Sequence, residues 1–236
     1  MRTLLVLAGV VACNSSHGAP AEHPPSVAIA EIDPATVCAT HGAVKVKTSG
    51  KSSGKPALEV RDATTRAFAR TSKGDAAAIA FHYTGLKQEV RSLASGVARA
   101  QLGLKLRAQD SCNVIYVMWR TDKATLDVSV KYNASQHSNA ECGTHGYRKI
   151  RPLASHRVPS LAAGSDHRLQ AEIVDDNLTA WIDGNLVWTG TLPGVARELQ
   201  GPVGIRSDNV ELELELSASL ATEPIARCVH DPIVDD

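Results

Sequence analysis

Residues 167–190, HRLQAEIVDDNLTAWIDGNLVWTG, constrain the fold of this chain more than any other stretch. Three short runs of alternating apolar and polar residues are separated first by Asp175-Asp176-Asn177 and then by Asp183-Gly184. Both separators are typical of tight reversals between antiparallel strands. The stretch therefore predicts a three-stranded antiparallel meander.

Similar short β-type runs recur along the chain. No helical pattern of 10–15 residues alternates with them, which excludes a parallel sheet with crossover helices, and we expect at most a short helical turn near 194–199. Many short strands over about 180 residues predict an all-β fold, a two-sheet antiparallel β-sandwich. The predicted strands are 58–61, 65–70, 77–83, 101–108, 113–120, 125–132, 167–174, 178–182, 185–189, 202–206 and 210–220.

Three segments resemble the concanavalin A-like lectin/glucanase superfamily. In that superfamily a strand ending in a DG hairpin precedes a G-x-V-G-[IL]-[RS]-S segment and a long closing strand, as do residues 167–190 and GPVGIRSDNVELELEL at 201–216. GLKLRAQDSCNVIYVMWR at 103–120 is similar to the segment that opens the middle of such a jelly roll. The resemblance covers residues 58–220 and implies a concanavalin A-like jelly roll. It implies no single function, because the superfamily holds lectins, hydrolases, and adhesion and sensor modules.

The amino terminus, MRTLLVLAGVVAC, has the features of an export signal. Arg2 precedes an apolar run that is too short to span a bilayer. Val10-Val11-Ala12-Cys13 resembles a bacterial lipobox, which implies cleavage after Ala12 and a lipid-modified Cys13; a plain signal peptide with a free Cys13 is the alternative. We therefore predict an exported bacterial lipoprotein at the outer membrane or cell surface, facing the periplasm or the exterior.

The domain boundaries follow from composition. We predict a signal peptide at 1–12, a flexible tether at 13–36 that is rich in Pro, Ala, Ser and His, and one β-sandwich domain at 37–236. Lys plus Arg and Asp plus Glu number 25 each. This balance argues against nucleic acid and an anionic lipid surface as partners. We also predict a monomer that meets the membrane only through its lipid anchor.

The cysteines agree with export. Four remain after Cys13 is set aside, and an even number in an oxidising compartment predicts two disulfides with three possible connectivities. We favour Cys112–Cys142, which would join two neighbouring segments, and Cys38–Cys228, which would tie the two ends of the domain together.

The glutamate row of the last strand is a candidate catalytic feature. Glu211, Glu213 and Glu215 share one strand face at a two-residue spacing, and the resemblance to laminarinase-like E-[ILV]-D-[IV]-E motifs implies paired-carboxylate hydrolysis. However, the middle residue is Glu, and the row lies on the last strand without an aromatic neighbour. Alternation with leucine on a half-buried strand explains the same pattern, so we favour a sheet face turned to solvent.

Two groups of residues are candidate metal ligands. His137, Cys142 and His145 lie close in sequence, but a disulfide-bonded Cys142 would leave only two histidines. Calcium is possible because relatives in the superfamily often bind it, although turns favour aspartate at the same positions. We therefore predict that the protein has no metal or cofactor, with calcium as the alternative. The candidate calcium ligands are Asp175, Asp176, Asp183 and Asp208.

The few aromatic residues, 4% of the chain, mark a candidate binding groove. Trp119 shares a strand face with Ile115 and Val117 and is predicted to lie in the core. Trp181 lies on the polar face of its strand, where an exposed ring would stack on a sugar, unless a neighbouring loop covers it. Aromatic rings would stack and arginines would donate paired hydrogen bonds; the predicted ligand-binding residues are Tyr116, Arg120, Trp181 and Arg206.

The sequence thus predicts a lipid-anchored cell-envelope module that binds carbohydrate, or another envelope component, rather than cleaving it. Two alternatives remain open. One is a glycoside hydrolase that uses Glu211, Glu213 and Glu215, and the other is a structural or adhesion lipoprotein without a small ligand.

Overall fold

The computed structural model describes residues 24–224 and residue 228. The predicted signal peptide at 1–12 and the predicted lipidation site Cys13 lie outside the described residues. None of the helices in the described part of the chain has the length and apolar character that crossing a membrane requires.

The described chain forms sixteen strands and three helical turns. The turns are 3-10 helices at Pro34–Thr36 and Gly194–Arg197 and one α-helical turn, α1, at Asn139–Cys142. In chain order the strands are β1 Ala30–Glu31, β2 Val37–His41, β3 Val44–Lys47, β4 Ala57–Val60, β5 Thr64–Ala69, β6 Ser72–Leu86, β7 Gln101–Leu106, β8 Val114–Arg120, β9 Thr125–Lys131, β10 Tyr147–Lys149, β11 Ala154–Ser155, β12 Asp166–Val174, β13 Asn177–Ile182, β14 Asn185–Thr191, β15 Gly204–Asp208 and β16 Val210–Leu220.

These strands form two antiparallel sheets. The nine-stranded sheet has the order β11-β14-β13-β12-β6-β16-β4-β3, with β1 also paired to β16, and the seven-stranded sheet has the order β10-β9-β8-β7-β15-β5-β2. Each sheet mixes strands that are distant in sequence, and the chain passes between the sheets at several points. The protein is therefore an all-β, two-sheet antiparallel sandwich, as predicted.

The predicted meander is β12, β13 and β14. Asp175, at the first reversal, has φ of 54°, and Asp183 and Gly184, at the second, have φ of 52° and 80°. Two consecutive left-handed residues are what a two-residue hairpin turn between right-twisted strands requires. The reversals predicted from Asp175-Asp176-Asn177 and Asp183-Gly184 are thus confirmed.

The core lies between the two sheets and is filled by one face of each. Strand β8 contributes Trp119, which is fully buried, and β6 contributes Phe81. Their rings meet edge to face across the layers, with centroids 5.8 Å apart. Burial of alternate residues on both sheets explains why period-2 patterns in the sequence predicted the strands.

All eleven predicted strands are present, with ends that differ by a few residues, and the short helix at Gly194–Arg197 lies where a helical turn was expected. The prediction missed five short strands, β1, β2, β3, β10 and β11. Four of them lie at or next to sheet edges, where few residues are buried and the apolar alternation is weak.

The segment predicted as the distal part of a tether differs from that prediction. Ser26 and Val27 donate backbone N–H groups to the Glu172 carboxylate at 2.8 and 2.9 Å, and Ile32 is buried in the core. Glu172 faces away from the core on β12, so the chain from Ser26 to β1 crosses the outer face of the nine-stranded sheet. The folded part of the chain begins earlier than residue 37.

Both favoured disulfides are present. The Cα atoms of Cys112 and Cys142 are 5.8 Å apart, and those of Cys38 and Cys228 are 5.6 Å apart. The first bond joins the segment before β8 to α1, and the second joins β2 to the carboxyl-terminal segment.

Candidate functional site: a groove on the seven-stranded sheet

A groove of about 650 Å³ lies on the outer face of the seven-stranded sheet. This volume is within the range of about 300–1,000 Å³ that ligand pockets usually have. Strands β7, β8, β9, β10 and β15 form its floor, and two loops form its walls. One wall is the loop between β6 and β7, and the other is the loop that contains α1.

Strand alternation explains why polar and aromatic side chains meet here. On β8, Ile115, Val117 and Trp119 point into the core, so Tyr116 and Arg120 point out of the sandwich on the groove side. The same alternation on β9 turns Val128 mainly inward and the residues beside it outward, and on β15 it turns Ile205 inward and Arg206 outward.

Two stacked tyrosines form the aromatic part of the floor. The rings of Tyr116 and Tyr147 have centroids 6.0 Å apart and planes inclined by 23°. The Arg206 guanidinium lies 4.9 Å from the Tyr116 ring centroid, and Lys131 Nζ lies 5.1 Å from that of Tyr147. Both distances fit cation–π contacts. Burial, together with the neighbouring Tyr147, raises the pKa of Tyr116 well above its ordinary value, so this phenol stays neutral.

A buried carboxylate holds Arg206 in place beneath the groove. Asp208 accepts hydrogen bonds from Arg66 at 2.7 Å, from Arg206 at 2.9 Å and from the Gln101 amide at 2.6 Å. Burial alone would raise the pKa of Asp208, but the two guanidinium groups and the Gln101 amide outweigh it and hold the pKa well below its usual range. Asp208 is therefore ionised and Arg206 has a fixed orientation.

Arg120 is oriented by a second set of carboxylates at the end of β8. Its Nε and Nη2 atoms donate to the two oxygens of Asp122 at 2.9 and 2.6 Å, a bidentate pair. Asp127 lies 3.8 Å from Arg120 Nη1 and 2.8 Å from Lys149 Nζ. The burial of Asp122 opposes these bonds, but Arg120 outweighs it and lowers the pKa of Asp122.

The α1 wall is held by covalent and polar links. The Cys112–Cys142 disulfide joins α1 to the segment that leads into β8, and Lys131 Nζ donates to the Gly143 carbonyl at 2.8 Å. Asn139, Gly143 and Thr144 line the groove. This wall is thus fastened to the floor at two places.

The opposite wall is held by Asn209, the residue between β15 and β16. Its side-chain amide donates to the Arg91 and Arg99 carbonyls at 2.7 and 2.8 Å and accepts from the Arg91 N–H at 2.8 Å. Asn209 is buried and has φ of 55°, a conformation that asparagine tolerates better than most residues. The loop that carries Arg99 is positioned by these bonds.

The groove brings together three of the four predicted ligand-binding residues. Tyr116, Arg120 and Arg206 all line it, whereas Trp181 does not. Trp181 lies on β13 of the other sheet and faces away from the core, as its strand parity predicted, but only 3% of it is exposed. Because its ring is covered, the prediction that Trp181 stacks on a ligand is wrong for this structure.

Residues that the sequence analysis passed over complete the site. Tyr147, on the short edge strand β10, supplies the exposed ring of the tyrosine pair, and Arg99 lies on a loop without periodicity. Their sequence surroundings carry no alternation that would have marked them. Lys131 follows the strand parity of β9 and could have been found from it, whereas Lys149 lies on β10 with Tyr147 and carries no such signal.

The glutamate row lies elsewhere. Leu212, Leu214 and Leu216 point into the core, so the glutamates lie on the outer face of the nine-stranded sheet. Glu213 is only 4% exposed, and Lys47 Nζ and the Lys51 N–H donate to it at 2.7 and 3.1 Å. Its neighbours in the row are held similarly: Glu211 pairs with Lys87 at 3.1 Å, and Glu215 accepts from Ser53.

The prediction that the glutamate row faces solvent is therefore only partly right, because the loop after β3 covers Glu213. Burial would raise the pKa of Glu213, but the bonds from Lys47 and Lys51 outweigh it and lower the pKa. These contacts make the row a part of the sandwich's structure, on the sheet that does not form the groove.

The candidate metal ligands are engaged in other contacts. Cys142 is disulfide-bonded, and His137 lies 2.8 Å from Asp110. Asp176 pairs with Arg197, Asp183 contacts His167 and the Arg168 N–H, and Asp208 binds two arginines. Within residues 24–224 and residue 228, no group of three or more His, Cys, Asp or Glu side chains is placed to hold a metal ion.

Comparison with known proteins bears on the fold alone. No protein-family model and no curated protein sequence matches the chain. A solved structure of the carbohydrate-binding module CBM66 from Bacillus subtilis is 11% identical, with a TM-score of 0.51, and the match covers 79% of this chain and 94% of that one. A Bacteroides ovatus mixed-linkage glucan PUL GH16 in complex with a G4G4G3G product is also 11% identical, with a TM-score of 0.50 and coverage of 79% and 95%. The chain shares their fold.

Proposed function

We propose that this protein is a carbohydrate-binding module and that its binding site is the groove on the seven-stranded sheet. The observation that carries the proposal is the stacked pair of Tyr116 and Tyr147, surrounded by the oriented guanidinium groups of Arg120 and Arg206. The name of the similar CBM66 structure, a carbohydrate-binding module, supports it.

The chemistry of the groove suits a sugar ring. Tyr147 is 46% exposed and offers a flat apolar surface, while Tyr116 beneath it is buried. An aromatic face matches the C–H face of a pyranose, and arginine N–H groups that are already fixed by carboxylates donate hydrogen bonds without a large loss of side-chain entropy. Binding without cleavage is the function that these groups support.

We further propose that the protein is exported and anchored by lipid at Cys13. Two disulfides fit an oxidising compartment. The described chain near Ser26 lies on the outer face of the nine-stranded sheet, bound to Glu172, and the groove lies on the outer face of the other sheet.

A glycan-array screen of the full chain tests the proposed site. Thr144 is an exposed wall residue of the groove, so Thr144→Trp would fill the groove with an indole ring without disturbing the core. Ser160→Trp, at an exposed position outside the groove, is the matched control.

We expect the unmodified chain and Ser160→Trp to bind the same glycans and Thr144→Trp to lose them. Absence of glycan binding by the unmodified chain would contradict the proposal and favour the adhesion alternative. Equal binding by Thr144→Trp would place the site elsewhere on the protein.

A further inference from the structure

The groove carries an excess of positive charge that the whole chain does not have. The chain has 25 basic and 25 acidic residues. In contrast, a single lining residue of the groove, Asp127, is acidic, and six are basic: Arg99, Arg120, Lys123, Lys131, Lys149 and Arg206. The excess is therefore a local property of this surface.

Nearby carboxylates neutralise only part of this charge. Asp122 and Asp127 balance Arg120 and Lys149, to which they are bonded. Asp208 faces two guanidinium groups, those of Arg66 and Arg206, so one positive charge remains in that cluster. Lys131 Nζ donates to the Gly143 carbonyl at 2.8 Å and lies 5.1 Å from the Tyr147 ring centroid.

Arg99 and Lys123 contribute the remaining charge at the rim of the groove. Neither forms an ion pair with another described residue. Arg99 Nε is buried and has no hydrogen-bond partner in the described part of the chain. A buried donor without a partner costs free energy, and the bond between Asn209 and the Arg99 carbonyl holds this residue in place. Arg99 therefore lines the groove from a backbone position that Asn209 fixes.

We propose that the groove selects acidic carbohydrate, a polymer whose sugars carry carboxylate or sulfate groups. This inference rests on the proposed carbohydrate-binding function and adds its ligand class. Arginine donates two parallel hydrogen bonds to the two oxygens of a carboxylate or sulfate, a geometry that a sugar hydroxyl does not match. A neutral glycan would contact the tyrosine pair and bring no negative charge to Arg99 and Lys123 at the rim.

Two matched pairs of polymers test the ligand class. The purified full chain is titrated with polygalacturonate and with the same polymer after carboxyl reduction, and with dextran sulfate and unmodified dextran. We expect an acidic member to bind at least about tenfold more tightly than its neutral partner and to weaken as NaCl rises from about 0.05 M to about 0.5 M. A difference within the polygalacturonate pair would identify carboxylate as the recognised group, and a difference within the dextran pair would identify sulfate.

Charge-removing variants connect the preference to the groove. Arg99→Gln with Lys123→Gln should weaken acidic binding by about three- to tenfold and weaken neutral binding less, because each exposed ion pair contributes about 0.2–1 kcal/mol. Lys73→Gln, an exposed lysine outside the groove, should change neither.

The two possible failures are distinguishable. Equal affinity for the acidic and neutral members would overturn the ligand class and leave the proposed carbohydrate-binding function standing. Failure to bind any polymer, together with a silent glycan array, would overturn both. The assignment would also be overturned if the chain with both Arg99→Gln and Lys123→Gln bound acidic polymer as tightly as the unmodified chain. The positive charge that attracts the polymer would then lie elsewhere on the protein.

Discussion

The ring of Tyr147 stacks on the ring of Tyr116 with centroids 6.0 Å apart, and it joins an edge strand to the centre of the seven-stranded sheet. Tyr116 is buried and supports the pair from below, while Tyr147 keeps nearly half of its surface exposed. The pair therefore separates two tasks: Tyr116 belongs to the packed sheet, and Tyr147 presents the surface that a ligand would touch.

Substitution of Tyr147 should weaken glycan binding without unfolding the protein. Tyr147→Ala removes the exposed ring, and we expect a loss of about 1 kcal/mol, roughly fivefold in Kd. Tyr147→Phe keeps the ring and loses only the hydroxyl, whose oxygen lies 3.4 Å from Arg206 Nη1, so its affinity should stay within about twofold. Calorimetric titration measures both; Tyr147→Ala with unchanged affinity would exclude a stacking role.

Neutralising Asp208 should destabilise the fold strongly. Asp208→Asn leaves the buried charges of Arg66 and Arg206 without their carboxylate, a loss that typically costs about 3–5 kcal/mol. Asp75→Asn is the control, because Asp75 pairs with Arg107 at a partly exposed position and lacks the burial of Asp208, and ion pairs near the surface contribute about 0–1 kcal/mol. Urea denaturation measures the free energy of unfolding, and similar losses in the two variants would contradict this prediction.

The contribution of Asp208 to the free energy of unfolding should also depend on pH. Its pKa is lower in the folded than in the unfolded chain, so the stabilisation is fully present above the unfolded value of about 3.9 and is lost as the pH falls from there toward the folded pKa. The difference in unfolding free energy between the unmodified chain and Asp208→Asn should therefore be constant near neutral pH and shrink below about pH 4. A difference that grows on acidification would contradict the assignment.

The two disulfides should differ in their effect on binding. Replacing Cys112 and Cys142 by Ser opens a loop of 30 residues, and replacing Cys38 and Cys228 opens one of 190. Loop entropy predicts losses of about 4 and about 5 kcal/mol, respectively. Only the first bond holds a wall of the groove, so glycan binding should fall in the Cys112/Cys142 variant and persist in the Cys38/Cys228 variant under conditions where both remain folded.

Local sequence patterns predicted most of the strands and some of the groove residues. Alternation on β8 identified Tyr116 and Arg120 as outward-facing, and both line the groove. The same reasoning gave the correct parity for Trp181, but parity says only which face a residue occupies. Whether another part of the chain covers that face depends on contacts between residues distant in sequence, and the 3% exposure of Trp181 could not be read from its neighbours.

Asp208 illustrates the same difficulty for polar residues. Its place at a turn made it a candidate calcium ligand. In the structure β5 pairs with β15, so that Arg66 lies directly opposite Arg206, and the two arginines enclose the carboxylate. This register joins residues more than 130 positions apart, and no local pattern in either strand specifies it.

Substitution of Glu213 distinguishes a structural glutamate row from a catalytic one. Glu213→Gln removes the charge that Lys47 and Lys51 contact, and we expect a loss of about 1–3 kcal/mol in unfolding free energy because the side chain is buried beneath the loop after β3. Glycan affinity should not change, since this face belongs to the sheet opposite the groove. Glu211→Gln, at a more exposed position of the row, should cost less than about 1 kcal/mol. Turnover of β-glucan by the unmodified chain that Glu213→Gln abolishes would instead establish the hydrolase alternative.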